Sequence, residues 1–208
     1  MRTYRLHFIR HGLTEANADR RYIGVTDLKL SQEGIERLEF LKAEGIYPAV
    51  DLVFSSPLSR AVESAEIIYP HHTPIIVDEL REYDFGDFEN KSADELDGTK
   101  EYTEWIAGQL PSPPNGENSA EFTPRICLGL NKIVRHMMEK GVWDAAVICH
   151  GGVMMSLFAA TALPRKRLVE WTCDTGLGYT ARITPSLYAK SGIIEIVNTI
   201  PKLEFEEE

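Results

Sequence analysis

No apolar run in this chain comes near the ~20 residues that a helix needs to cross a bilayer, so no membrane-spanning helix is expected. Cysteine is scarce. Cys127, Cys149 and Cys173 are too few and too scattered for a disulfide framework, and no CxxC pair marks a zinc site. Positive charge is in deficit: 22 Lys and Arg stand against 32 Asp and Glu, a formal net charge of −10, and no basic stripe suited to nucleic acid is visible. The start, Met1 to Arg5, leads straight into strand-like sequence without a cleavable leader pattern. Internal repeats and low-complexity tracts are missing as well. These absences predict a cytoplasmic protein with reduced thiols and neither a nucleic-acid nor a membrane partner. A small phosphorylated ligand stays open, because a few converging arginines can reverse the local potential.

What is present is the balance of a globular chain: 43% hydrophobic and 26% charged residues over 208 positions, enough for a single domain spanning 1–208. Tyr4 to Arg10 is aromatic and aliphatic, is bounded by Gly12, and reads as a strand. Ser31 caps a helix to about Lys42, with Ile35, Leu38 and Leu41 on one face and Gly45 past its end. Leu52 to Phe54 is a second apolar run, closed by Ser55-Ser56-Pro57. A helix follows with Arg60 in its first turn. Ile75 to Val77 reads as a third strand. The Gly- and Pro-rich stretch 79–118 reads as a lid-like excursion, with helical turns at Tyr102 to Ile106.

Phe122, Ile126, Leu130, Ile133 and Met137 recur at spacings of three and four, which predicts a helix from about Pro124, capped by Thr123, to Gly141. Ala145 to Cys149 is a buried strand and His150-Gly151-Gly152 a turn. An apolar helix runs from Val153 to Leu163, stopped by Pro164. Strands near Tyr179 to Ile183 and Ile193 to Asn198 complete the pattern, and the tail from Leu203 is acidic. Alternating strands and helices predict an α/β fold, a three-layer αβα sandwich with a mostly parallel sheet. In such sheets ligands bind beyond the carboxyl ends of the strands. Arg10-His11-Gly12, Ser55 to Arg60, Glu82 and His150-Gly151-Gly152 all fall there.

Two arginines, two histidines and a carboxylate at one sheet edge suit phosphoryl transfer. Guanidinium forks match phosphate oxygens. A neutral imidazole is a competent nucleophile, which points to His11. The leaving alkoxide needs a proton, and Glu82 is a candidate donor, as are its neighbours Glu79, Asp84 and Asp87. A metal-dependent hydrolase built on His11 and His150 is a competing reading, against which stands the lack of HxH or HExxH spacing.

The segment Leu6-His7-Phe8-Ile9-Arg10-His11-Gly12-Leu13-Thr14-Glu15-Ala16-Asn17 resembles the RHG signature of the histidine phosphatase superfamily, also called phosphoglycerate-mutase-like. The likeness continues in family order through Arg21-Tyr22-Ile23-Gly24, Ser55-Ser56-Pro57-Leu58-Ser59-Arg60-Ala61, Leu80-Arg81-Glu82-Tyr83-Asp84-Phe85-Gly86 and Cys149-His150-Gly151-Gly152-Val153. The resemblance implies that His11 is the phosphorylated nucleophile and that Arg10, Arg60 and His150 bind the phosphoryl oxygens. It implies an amide contact from Asn17, Glu82 as proton donor, and Ile23, Gly24 and Tyr83 toward the rest of the substrate. It implies no metal and no cofactor, a small phosphorylated metabolite as partner, and homodimers, which the family often forms. Two departures stand out. Cys149 takes the place of a frequent serine, and Asp87-Phe88-Glu89-Asn90 lacks the tryptophan and glycine common near Phe88 and Asn90.

Two activities fall within the resemblance. A mutase must hold a bisphosphorylated intermediate, and family mutases carry a longer insert with adjacent arginines. Here Lys91 and Lys100 are the only basic residues between Asn90 and Pro114. Hydrolysis is therefore expected, in a branch resembling alpha-ribazole and broad-specificity phosphatases. A mutase, or an inactive relative that binds a phospho-ligand or a protein, are the alternatives.

Overall fold

The computed structural model describes residues 3–19 and 21–202, so the acidic tail from Leu203 lies outside the described residues. One seven-stranded sheet forms the centre, in the order β3-β2-β4-β1-β6-β7-β5. The strands are β1 (Tyr4–Arg10), β2 (Leu52–Ser55), β3 (Ile75–Ile76), β4 (Asp144–Cys149), β5 (Ala162–Leu163), β6 (Gly178–Ile183) and β7 (Ile194–Ile200). Pairing is parallel between β1 and β4, β2 and β4, β2 and β3, and β5 and β7, and antiparallel on both sides of β6. The sheet is mostly parallel, as expected.

Alternation along the strands divides the core in two. Leu6 and Phe8 of β1, with Ala145 and Val147 of β4, pack on one face against α6 (Ser119–Lys140) and α7 (Gly151–Thr161). Ile9 of β1, with Ala146 and Ile148 of β4, packs on the other against α2 (Gln32–Ala43) and α3 (Ser59–Ile68). Because every second side chain of a strand faces the same way, both faces must be apolar, and both are covered by helices. Ser31 caps α2 by accepting from the Gly34 N–H at 3.1 Å, as its position ahead of the apolar stripe predicts.

Two helix boundaries differ from expectation. α6 begins at Ser119 rather than at Pro124, with Asn118 as cap accepting from the Ala120 N–H at 2.8 Å. Pro124 therefore sits inside the helix. Burial of Phe122 on the same face as Ile126 rewards the extra turn, which outweighs the backbone bond that proline cannot make. α7 ends at Thr161, and Ala162–Leu163 extend to pair with β7. The residue before a proline is driven out of helical geometry, and Leu163 precedes Pro164. The excursion after β3 holds α4 (Ala93–Leu96) and α5 (Lys100–Ile106) around a small core of Phe88, Leu96 and Tyr102, with Tyr22, Phe85 and Trp105 against it.

The register positions the site. Arg10 lies beside Cys149 and Ser55 beside Ile148, so the chain leaves β1, β2 and β4 at a common edge. His11, Ser56 and His150 are the first residues beyond.

Candidate active site

His11 follows β1, and its backbone N–H donates to the Cys149 carbonyl at 2.9 Å. Its side chain is 4% exposed. Nδ1 lies 2.7 Å from the Gly12 carbonyl oxygen, which can only accept, so Nδ1 carries the ring proton. Nε2 is left with its lone pair. Burial, together with the charges of Arg60 and Arg10, pulls the His11 pKa well below its ordinary value. The ring is therefore neutral at physiological pH. Gly12 is closely packed: a Cβ there would stand 2.7 Å from Cδ1 of Leu38, which would have to move.

Around this ring stand side-chain nitrogens without a partner among the described residues. Arg10 gives one N–H to the Cys173 carbonyl at 2.8 Å, and its Nε is buried and unbonded. Arg60, 1% exposed at the start of α3, donates to the carbonyls of Thr26 and Gly24 at 2.8 and 2.7 Å, and its Nε is likewise unbonded. His150 is fully buried and its ring centre is 5.1 Å from that of His11. Its Nε2 is 2.7 Å from the Ser56 hydroxyl, and Nδ1 has no partner. Burial lowers the His150 pKa well below its ordinary value, helped by the neighbouring His11 and arginines. A buried unpaired donor costs about 1–3 kcal/mol. Two such donors, both cationic, with the unpartnered His150 ring nitrogen beside them, form a receptor for an oxyanion.

Glu82 lies in the loop after β3, 7% exposed. One carboxylate oxygen accepts from the Tyr83 N–H and the other from the Gly152 N–H, both at 2.8 Å. Burial raises its pKa, while these two N–H groups, Arg60 and Arg10 hold the rise back. Gly152 must lack a side chain, since a Cβ would fall 2.5 Å from Glu82 Oε1. The carboxyl is thus seated on the first turn of α7, directly after His150. Among the described residues, no three His, Cys, Asp or Glu side chains are grouped as metal ligands.

A family model described as the histidine phosphatase superfamily (branch 1) matches residues 6–185. This chain belongs to the histidine phosphatase superfamily. It is 30% identical over 179 residues to an adenosylcobalamin/alpha-ribazole phosphatase of Escherichia coli K12, covering 83% of this chain and 86% of that protein. A 2,3-bisphosphoglycerate-dependent phosphoglycerate mutase of Rhizobium etli is 32% identical over 164 residues, 73% of this chain and 77% of its own. Among solved structures, the alpha-ribazole phosphatase from Shigella flexneri superposes with a TM-score of 0.78 at 25% identity, over 98% of this chain and 100% of that one.

In this histidine phosphatase the remaining candidates fall into two groups. Asn17 sits in α1 (Glu15–Ala18), where its side-chain oxygen accepts from the Thr14 N–H and hydroxyl at 3.3 and 3.0 Å. The cap consumes the oxygen and leaves the NH2 as the donor Asn17 can offer. Gly24 and Tyr83 touch: a Cβ on Gly24 would stand 1.7 Å from the Tyr83 carbonyl oxygen. The Tyr83 ring packs edge-on to Phe85 and Phe122, at centroid distances of 5.2 and 5.1 Å, so most of it is core. Ile23 is half-buried beside them. A cavity of about 420 Å³ lies next to α1, lined by residues including Asp19, Arg21, Lys29 and Asn90, and none of the phosphate-binding candidates lines it.

Three supporting residues escaped the sequence reading. Glu89 gathers the N–H groups of Gly24, Val25, Thr26 and Phe85 on one carboxylate, at 3.0 to 3.3 Å. Arg60 holds the same loop through its carbonyls, so the loop and the guanidinium fix each other. Arg125 of α6 pairs with Glu117 at 2.7 Å and donates to the carbonyls of Glu79 and Arg81, anchoring the chain that carries Glu82. Ser56 meets His150. Asn90 adopts φ 63°, the left-handed conformation that favours glycine and that asparagine tolerates best among the others.

Proposed function

We propose that this protein hydrolyses a small phosphomonoester through a phosphohistidine on His11. The observation that carries this reading is the neutral His11 ring, its Nε2 lone pair without a partner among the described residues, set among the unpaired Nε–H groups of Arg10 and Arg60 and the unpaired Nδ1 of His150. Nε2 attacks phosphorus, the P–O bond to the leaving group breaks, and Glu82 delivers its proton to the departing alkoxide. Water then attacks the phosphohistidine while the Glu82 carboxylate takes the proton from it, which releases inorganic phosphate and restores both side chains. Arg10, Arg60 and His150, with the amide of Asn17, hold the three transferring oxygens. Ile23, Gly24 and Tyr83 belong to the wall toward the leaving group. The chain acts as one histidine phosphatase domain in which 79–118 forms a lid, and the family resemblance extends the reading to a homodimer.

Relatives include both phosphatases and mutases. Water is favoured as acceptor by the excursion, whose lysines, Lys91 and Lys100, are exposed, with Lys100 turned to Glu104 at 3.7 Å. A second phosphate finds no cluster of cations there. The test is a screen of phosphorylated metabolites that includes 3-phosphoglycerate and bisphosphoglycerate, with free phosphate and transferred phosphate both measured. Release of phosphate from a monoester is expected. His11→Ala should abolish turnover and covalent labelling by a 32P-labelled substrate, and labelling retained in that variant would sink the assignment.

A further inference from the structure

We propose that Ser56 fixes the tautomer of His150, donating its hydroxyl proton to Nε2 so that the ring proton stays on Nδ1 and is offered to the bound phosphoryl group. Its consequence for binding rests on the phosphoryl-transfer reading above, whereas the tautomer itself does not. The two residues leave neighbouring strands, β2 and β4, at the same edge, and both are fully buried. Their atoms are 2.7 Å apart, a strong O–H···N geometry. Either atom could donate in principle, so the surroundings decide. The Ser56 oxygen also receives the Leu58 N–H, at 3.4 Å. That contact leaves the hydroxyl proton unspent, and among the described residues no acceptor other than His150 Nε2 is within its reach, so a ring that donated to Ser56 would strand that proton. Ser55, next in the chain, spends its own hydroxyl on the Ser56 carbonyl at 2.8 Å and does not compete.

The alternative tautomer would place a lone pair on Nδ1, buried and without a protein partner. A lone pair there repels the oxygens of a phosphate, while an N–H attracts them. The two orientations therefore differ by a full hydrogen bond at the moment of binding. His11 is locked by the same logic and in the complementary sense: a carbonyl that can only accept puts its proton on Nδ1 and leaves Nε2 as nucleophile. One histidine is set to attack and the other to donate, each by a single neutral oxygen. Ser56 is a positioning residue, since it touches His150 and not the reacting atoms.

The test is 15N NMR of the histidine rings in the whole protein at pH 8, where the buried rings are neutral, for wild type, Ser56→Ala and Ser56→Cys. His150 is assigned from a His150→Gln spectrum, and orthovanadate serves as the phosphoryl probe. A protonated Nδ1 and a hydrogen-bonded, unprotonated Nε2 are expected in wild type. In Ser56→Ala the two nitrogens should move toward averaged shifts and vanadate affinity should drop about tenfold, the worth of one hydrogen bond to a charged group. Ser56→Cys, a weak donor, should fall between them. A protonated Nε2 in wild type would overturn the proposal without any variant, and so would an unchanged tautomer and vanadate affinity in Ser56→Ala. If wild type shows the expected tautomer but no vanadate binding, the role of Ser56 stands and the phosphoryl reading falls.

Discussion

At the scale of single residues, the site depends on how burial shifts proton affinities in opposite directions. His11 and His150 lose basicity through desolvation and nearby guanidinium groups, while Glu82 loses acidity through desolvation. The result is a neutral nucleophile beside a carboxyl that is easier to protonate than usual. Glu82→Gln keeps the shape and one hydrogen-bond acceptor but cannot give up a proton. It should lower kcat/KM, which reports transfer to His11 and not the later hydrolysis, by about 100-fold or more for alkyl phosphates, the usual worth of a positioned acid, and far less for p-nitrophenyl phosphate. Equal slowing of both substrates would show that Glu82 is not the donor. His11 and His150 were legible because each lies directly after an apolar strand, whereas Glu82, in the loop after β3, was singled out from its acidic neighbours by the family resemblance. Ser56 as partner of His150, 94 positions away, and Glu89 as partner of Gly24, 65 positions away, were not legible. No local period links such pairs, and only the sheet register brings them together.

At the scale of elements, periodicity located α2, α3, α6 and the central strands, because each buries a face of adequate length. It missed the start of α6. A proline after Thr123 looks like a helix start, but the side chain of Asn118 and the burial of Phe122 favour beginning a turn earlier. Asn118→Ala should therefore cost about 1 kcal/mol of stability, read as a lower urea midpoint, whereas Thr123→Ala should not. The reverse ranking would restore Thr123 as the cap. Short α8 (Pro185–Ser191) also went unread, although Pro185 in its first turn and Gly192 in the left-handed conformation past its end are the usual marks of a helix. With no fully buried residue in it, α8 shows no apolar stripe for a periodicity search to find.

At the scale of the whole molecule, the buried titrating groups link stability to pH. Three histidines, His7, His11 and His150, have their proton affinity lowered by burial. The unfolded chain binds their protons near the ordinary value of 6.5, the folded chain only at lower pH. Their stabilisation is complete above pH 6.5 and is lost as pH falls through the folded values. Glu82 acts in the opposite sense, because its raised pKa makes the folded chain the tighter proton binder between its ordinary 4.5 and the raised value. Three groups against one leave a net loss. The melting temperature should fall between pH 7 and pH 5, and scanning calorimetry at the two values checks it. His150→Gln should flatten that dependence.

The sequence alone determined the α/β class, the strand ends that bear chemistry and the family, because strand runs, glycine turns and the RHG and HGG strings are local signals. The tertiary structure alone decided which nitrogen of each histidine is free, which donors lack partners and which residues hold the arginines and Glu82 in place. Those properties depend on atoms within about 3 Å of one another. Such distances are set by strand register and by the packing of distant segments, and neither is written in any short stretch of chain.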